Sequence, residues 1–247
     1  MTDMLGPYQL NTIVTGDARE LSKAIPDESV DLIFTDPPWG VEYKYPSEFV
    51  DSWEGYKDFV EWLVGECQRI LRPGAFAFVY QGTKRLQDTY SIFPSGSRLF
   101  ADCKTFIQLK GLPVEFAVDY IVFWQKLGLF ALTGMCRDWH RANTSRTIHK
   151  SRDTKLWLTN GAKIPPPRPL ESCVYIINQM CLQGAIVMDF FVGSGTTAVA
   201  CKVLGRNYLA FEIDPETAEI ARQRVVQTQP PLFVQKQEQL SLNIGDE

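Results

Sequence analysis

Four consecutive residues, Asp36-Pro37-Pro38-Trp39, combine a carboxylate, a stiff backbone and a large aromatic face. That set suits chemistry on an aromatic amine, which is a poor nucleophile because its lone pair is delocalised into the ring. If the Asp36 carboxylate and the Pro37 carbonyl both accept hydrogen bonds from the NH2 group, the nitrogen can become more tetrahedral as it attacks, and its lone pair becomes available. The paired prolines stiffen the loop that aims those acceptors. Trp39 offers a face on which an extruded base can stack.

A second group is Asp189-Phe190-Phe191-Val192-Gly193-Ser194-Gly195-Thr196-Thr197-Ala198, with Glu212-Ile213 beyond it. Glycines there let the backbone come close to a ligand, and an acidic group at the end of the next strand can accept hydrogen bonds from ribose hydroxyls. Gly193-x-Gly195-x-x-Ala198 fits a dinucleotide site as well, so alone it leaves a nicotinamide-dependent dehydrogenase open. Such an enzyme would leave Asp36-Pro37-Pro38-Trp39 unexplained.

The elements around these groups are those of an α/β protein. The apolar run Val30 to Phe34 predicts a buried strand that ends at Asp36, because two prolines continue neither a helix nor a central strand. Tyr56 to Leu71 reads as a helix stopped by Arg72-Pro73-Gly74, and Ala75 to Tyr80 as the next strand. Phe116 to Trp124 is rich in β-branched and aromatic residues and predicts another strand. Beyond Ile164-Pro165-Pro166-Pro167-Arg168-Pro169, a stiff connector, the order is helix (Leu170 to Cys181), strand (Ala185 to Asp189), helix (Thr196 to Leu204), strand (Asn207 to Glu212) and helix (Pro215 to Val226). This alternation implies parallel strands with helical crossovers.

Charge is unevenly spread. Between Lys126 and Lys163 eight Lys or Arg stand against Asp138 and Asp153, a local +6 in a chain of net −4, which leaves −10 on the remainder. A basic segment on an acidic body is the footprint of a domain that meets phosphate on one face. Arg137, Arg141, Arg146, Lys150 and Arg152 are the candidate phosphate contacts, with Trp139 or Asn143 reaching bases. The six cysteines lie far apart without a Cys-x-x-Cys pair and only two histidines occur, so neither disulfides nor a metal site is expected. No apolar run approaches about 18 residues and Met1 to Leu10 lacks the order of a signal peptide. A soluble, cytoplasmic protein of a prokaryote or virus, without membrane contact, is expected.

Together these residues resemble the amino-DNA methyltransferase family, and the resemblance extends over most of the chain. Gly16-Asp17-Ala18 with Ser29 to Trp39 looks like its amino-terminal half, Asp119 to Lys126 like its later strand, and Asp189 to Glu212 like its cofactor half. The motif with Asp36 precedes the glycine motif, which resembles the circularly permuted β group, where a target-recognition segment lies between the halves. The resemblance implies a Rossmann-like, S-adenosylmethionine-dependent methyltransferase fold: a largely parallel twisted sheet with helices on both faces. It implies a catalytic half over 1–125, a recognition segment over 126–163, a cofactor half over 164–226 and a tail over 227–247.

By the same resemblance, Asp36, Pro37, Pro38 and Trp39 are catalytic, Asp36 also lying against the cofactor. Asp189, Phe190, Phe191, Gly193, Ser194, Gly195, Thr196 and Thr197 would meet the methionine and ribose portion of S-adenosylmethionine. Glu212 and Ile213 would meet the ribose side, and Asp17 with Ala18 the adenine ring. Arg168-Pro169-Leu170-Glu171 stands where the family carries a Lys-Pro element near the methionine end, and Trp39 replaces a commoner Tyr or Phe.

The implied activity is site-specific methylation of a flipped base in double-stranded DNA, of the kind paired with restriction enzymes, by a monomer or homodimer. Asp at the first motif position resembles adenine-N6 enzymes, whereas Ser is more typical of cytosine-N4 enzymes, so adenine is favoured, with cytosine N4 and an RNA amine as alternatives. Ring-carbon methylation of cytosine needs a cysteine that typically follows a proline, and none of the six does.

Overall fold

A computed structural model describes residues 3–42, 52–107, 115–126, 168 and 170–229. A two-stranded hairpin, β1 (Met4–Leu5) and β2 (Tyr8–Gln9), precedes the main sheet. That sheet contains β3 (Thr12–Thr15), β4 (Val30–Thr35), β5 (Leu71–Gln81), β6 (Arg98–Ile107), β7 (Glu115–Gln125), β8 (Ile186–Asp189) and β9 (Asn207–Glu212) in the order β3-β9-β8-β4-β5-β7-β6. β3, β9, β8, β4 and β5 run parallel, and β7 is antiparallel to both β5 and β6. The architecture is the largely parallel α/β sheet with helices on both faces that the sequence predicts.

Strands buried on both faces read as apolar runs. Val30, Leu32, Ile33 and Phe34 of β4 are all within 2% of complete burial. Alternation then divides the core. Ile33, Ala77 and Val79 pack beneath α2 (Tyr56–Ile70) through Val60, Leu63, Val64, Cys67 and Ile70. Leu32, Phe34, Phe78 and Tyr80 face α4 (Leu170–Met180), α5 (Thr196–Leu204) and α6 (Pro215–Gln227). Each fully buried Leu, Ile, Val or Phe contributes about 1.5–3 kcal/mol relative to exposure, which holds the helices against opposite faces. The short α1 (Ala18–Leu21) and α3 (Thr83–Thr89) follow β3 and β5.

Arg72-Pro73-Gly74 is not the turn expected between helix and strand. β5 begins at Leu71, and pairing with β4 jumps from Val30↔Leu71 to Leu32↔Phe76. The proline and glycine occupy the bulge, where Pro73 owes no ladder hydrogen bond and Gly74 takes φ +84°. The segment 127–163, with all five candidate phosphate contacts, lies outside the described residues, as does 230–247 of the expected tail.

Candidate active site

The carboxyl ends of β3, β9, β8 and β4, in that spatial order, lead into Asp17, Glu212, Asp189 and Asp36. Loops at the carboxyl edge of a parallel sheet open on one crevice. The two loops of chemical interest leave adjacent strands and are tied together: Thr35 Oγ1 donates to Asp189 Oδ1 at 2.7 Å, and the Phe190 N–H donates to Thr35 Oγ1 at 3.2 Å.

Asp189 is 3% exposed. Burial pushes its carboxyl up to about 6, against the opposing hydrogen bonds from Thr197, Thr35 and the Phe191 N–H. Its place is under the glycine turn, where it anchors the chain. Above it the Gly193 N–H donates to Glu212 Oε2 at 2.9 Å and the Asp214 N–H to Oε1 at 3.0 Å. Burial raises the Glu212 pKa and those backbone donors lower it. A Cβ on Gly193 would meet nothing within 4 Å, so a ligand can approach the turn there, whereas one on Gly195 would sit 3.0 Å from the Ala221 Cβ of α6.

Ile213 beside Glu212 is 42% exposed, an apolar surface next to the carboxylate. Asp17 caps α1 by accepting from the Arg19 N–H at 2.8 Å, and its pKa is lowered chiefly by the hydrogen bond from the Arg19 side chain. Ala18 is buried behind it.

Asp36 and Trp39 are partly exposed at the end of β4, with Pro37 buried between them. Trp39 lies against the backbone of β5's exit: a Cβ on Gly82 would come within 2.7 Å of its ring. The side chain facing both is Arg168, which grips Asp36 with two hydrogen bonds and stands over the rings of Tyr80 and Trp39. Phe190 does not join the edge; its side chain is buried against Trp62 in the core, leaving only its backbone at the loop.

Thr35 and Arg224 gave no local signal in the sequence, and Arg168 stood out only as part of the element near the methionine end, not as a partner of Asp36. Thr35 meets Asp189 across 154 positions and Arg168 meets Asp36 across 132. Arg224 of α6 braces the glycine turn, donating to the Ser194 carbonyl at 3.2 Å and to Thr196 Oγ1 at 2.9 Å. Among the described residues no group of three His, Cys, Asp or Glu could hold a metal ion, and no helix is long and apolar enough to cross a membrane.

A family model described as DNA methylase matches residues 124–223, from β7 to α6. The type II methyltransferase M.BamHI of Bacillus amyloliquefaciens is 28% identical over 254 residues, covering 89% of this chain, and the chain spans only 58% of that relative's length. The DNA adenine methyltransferase YhdJ of Escherichia coli is 25% identical over 247 residues, 88% of this chain and 83% of its own. The chain is similar to amino-DNA methyltransferases over most of its length.

The family model takes in the glycine turn and Glu212 but not the Asp36 loop, which the longer alignments span. The fold agrees: a Thermus thermophilus protein crystallised with S-adenosyl-L-methionine superposes with a TM-score of 0.60 at 22% identity, covering 90% of this chain and 95% of that one.

Proposed function

We propose that this chain methylates the exocyclic amino nitrogen of a base extruded from double-stranded DNA, using S-adenosylmethionine, with adenine N6 favoured over cytosine N4. The observation that carries the reading is the Thr35 to Asp189 hydrogen bond, which locks the amine-accepting loop beside the glycine turn.

The residues fit the cofactor. Gly193 leaves space against its backbone, the Glu212 carboxylate can accept from ribose hydroxyls, and Ile213 presents an apolar face beside it. When bound, S-adenosylmethionine supplies an electrophilic methyl group, its sulfonium becoming a thioether. The chain's own work is positional. Asp36 and the Pro37 carbonyl accept the two amino N–H bonds and free the nitrogen lone pair, Trp39 supports the base, and the nitrogen's surplus proton leaves to solvent. Asp36 at the head of the motif favours adenine, as does the relative named for adenine. Arg137, Arg141, Arg146, Lys150 and Arg152 would hold the DNA phosphates.

Duplex DNA incubated with the protein and S-adenosylmethionine, then digested to nucleosides for mass spectrometry, tests this. N6-methyladenine is expected. N4-methylcytosine would reverse the choice of base, and no methylated nucleoside would overturn the reading.

A further inference from the structure

Arg168 makes the most specific side-chain contact at the sheet edge. Its Nε donates to Asp36 Oδ2 at 2.5 Å and its Nη2 to Asp36 Oδ1 at 2.7 Å. Its guanidinium carbon lies 4.2 Å from the Tyr80 ring centroid and 5.0 Å from that of Trp39. The Arg168 side chain is 11% exposed and that of Asp36 32%. Tyr80 is itself fully buried, edge-on to Phe34 at 5.7 Å, so the surface under the guanidinium is rigid.

We propose that Arg168 is a positioning residue for Asp36, fixing the plane of the carboxylate whose hydrogen bonds prepare the amine; this rests on the function proposed above. A carboxylate at the end of a side chain turns in a broad, shallow torsional well. A planar fork bonded to both oxygens removes that freedom. The fork does not exhaust the carboxylate, because two oxygens offer about four acceptor positions and the guanidinium takes two. The others remain for an amino group.

The pairing also answers a problem that the base creates. A base stacked at Trp39 excludes water from Asp36, and a buried charge is costly unless paired. Arginine is always charged and stacks on aromatic faces, so Arg168 keeps its charge beside Asp36 while it packs on Tyr80 and Trp39. Lysine would keep the charge but neither the fork nor the stacking.

Arg168→Met and Arg168→Lys, each in the natural background and combined with Asp36→Asn, test this by single-turnover transfer of labelled methyl to duplex DNA, with cofactor affinity and melting temperature measured alongside. Arg168→Met should slow transfer about 100-fold with cofactor affinity held within about twofold. Arg168→Lys should recover part of the loss. Combined with Asp36→Asn, Arg168→Met should add less than about twofold, because its effect passes through that carboxylate.

An Arg168→Met enzyme as fast as or faster than the parent would mean that the arginine is idle or obstructs the site. A full further loss beside Asp36→Asn would mean that it acts elsewhere. Either overturns this inference alone, whereas a parent protein without transfer activity overturns the proposed function and this inference together.

Discussion

Asp36 and Asp189 end neighbouring strands and live in opposite environments. Asp36 is partly open and paired with a guanidinium, whereas Asp189 is sealed beneath the glycine turn. The proposed function gives the first the contact with substrate, and its exposure allows that. Asp36→Ala is expected to slow methyl transfer about 10²- to 10³-fold, the range for losing one preorganised partner at a reacting centre. Isothermal titration with S-adenosylmethionine should show little change, and an Ala variant with full turnover would end the role given to that carboxylate.

Asp189 should instead announce itself in stability. Its folded pKa is about 6 against an ordinary 3.8. Between those values the folded chain keeps a proton that the unfolded chain has released, so protonation favours folding. That benefit is full below about pH 3.8 and is lost as pH rises through about 6. Against Asp189→Asn, the parent should lose roughly 2 kcal/mol between pH 4 and pH 7. Urea midpoints of both proteins at several pH values read the difference, and a gap that stays level would exclude the titration. Asp36, Gly193 and Glu212 were legible because each sits in a compact local motif. Thr35 was not, and Arg168 was legible only as part of an element near the methionine end, since nothing near either residue announces a partner more than a hundred positions away.

At the scale of elements, the sequence reads well where burial is complete on both faces. β4, β8 and β9 show as short apolar runs, and α2 as a periodic one. β3 and β6 escaped notice for different reasons. β3 is four residues long, Thr-Ile-Val-Thr, with too few positions for a pattern. β6 lies at the sheet edge and slips register between Cys103 and Thr105, so its alternation is broken midway. The glycine turn between β8 and α5 separates two demands that a motif writes identically. Gly195, at φ +89°, is pressed against Ala221, while Gly193, at φ +50°, faces open space. Gly195→Ala must therefore overpack and strain the turn, and should lower stability by about 1–3 kcal/mol. Gly193→Ala should cost about 1 kcal/mol or slightly more for its left-handed backbone and show its main effect in cofactor binding. Thermal unfolding with and without S-adenosylmethionine distinguishes them: equal losses in both variants would contradict the packing difference.

Across the whole molecule the governing quantity is the separation of charge. The body carries about −10 and the segment from Lys126 to Lys163 carries +6, so the protein as a whole repels a polyanion except through that segment. Binding to DNA should thus depend steeply on salt despite the acidic total. Each phosphate neutralised releases counterions and adds about −0.9 to the slope of log affinity against log salt concentration. If Arg137, Arg141, Arg146, Lys150 and Arg152 all meet phosphate, they supply a slope of about −4.5 together, and replacing any one with Gln should flatten it by about 0.9 whatever the DNA sequence. Fluorescence anisotropy of a labelled duplex between about 50 and 200 mM salt gives the slope directly. A Gln variant that weakens one DNA sequence much more than another, with its slope intact, would instead place that residue on a base edge, because base contacts discriminate between sequences while phosphate contacts do not. A slope unchanged in all five would move the phosphate contacts off this segment and onto cations of the acidic body, where the surrounding carboxylates oppose them.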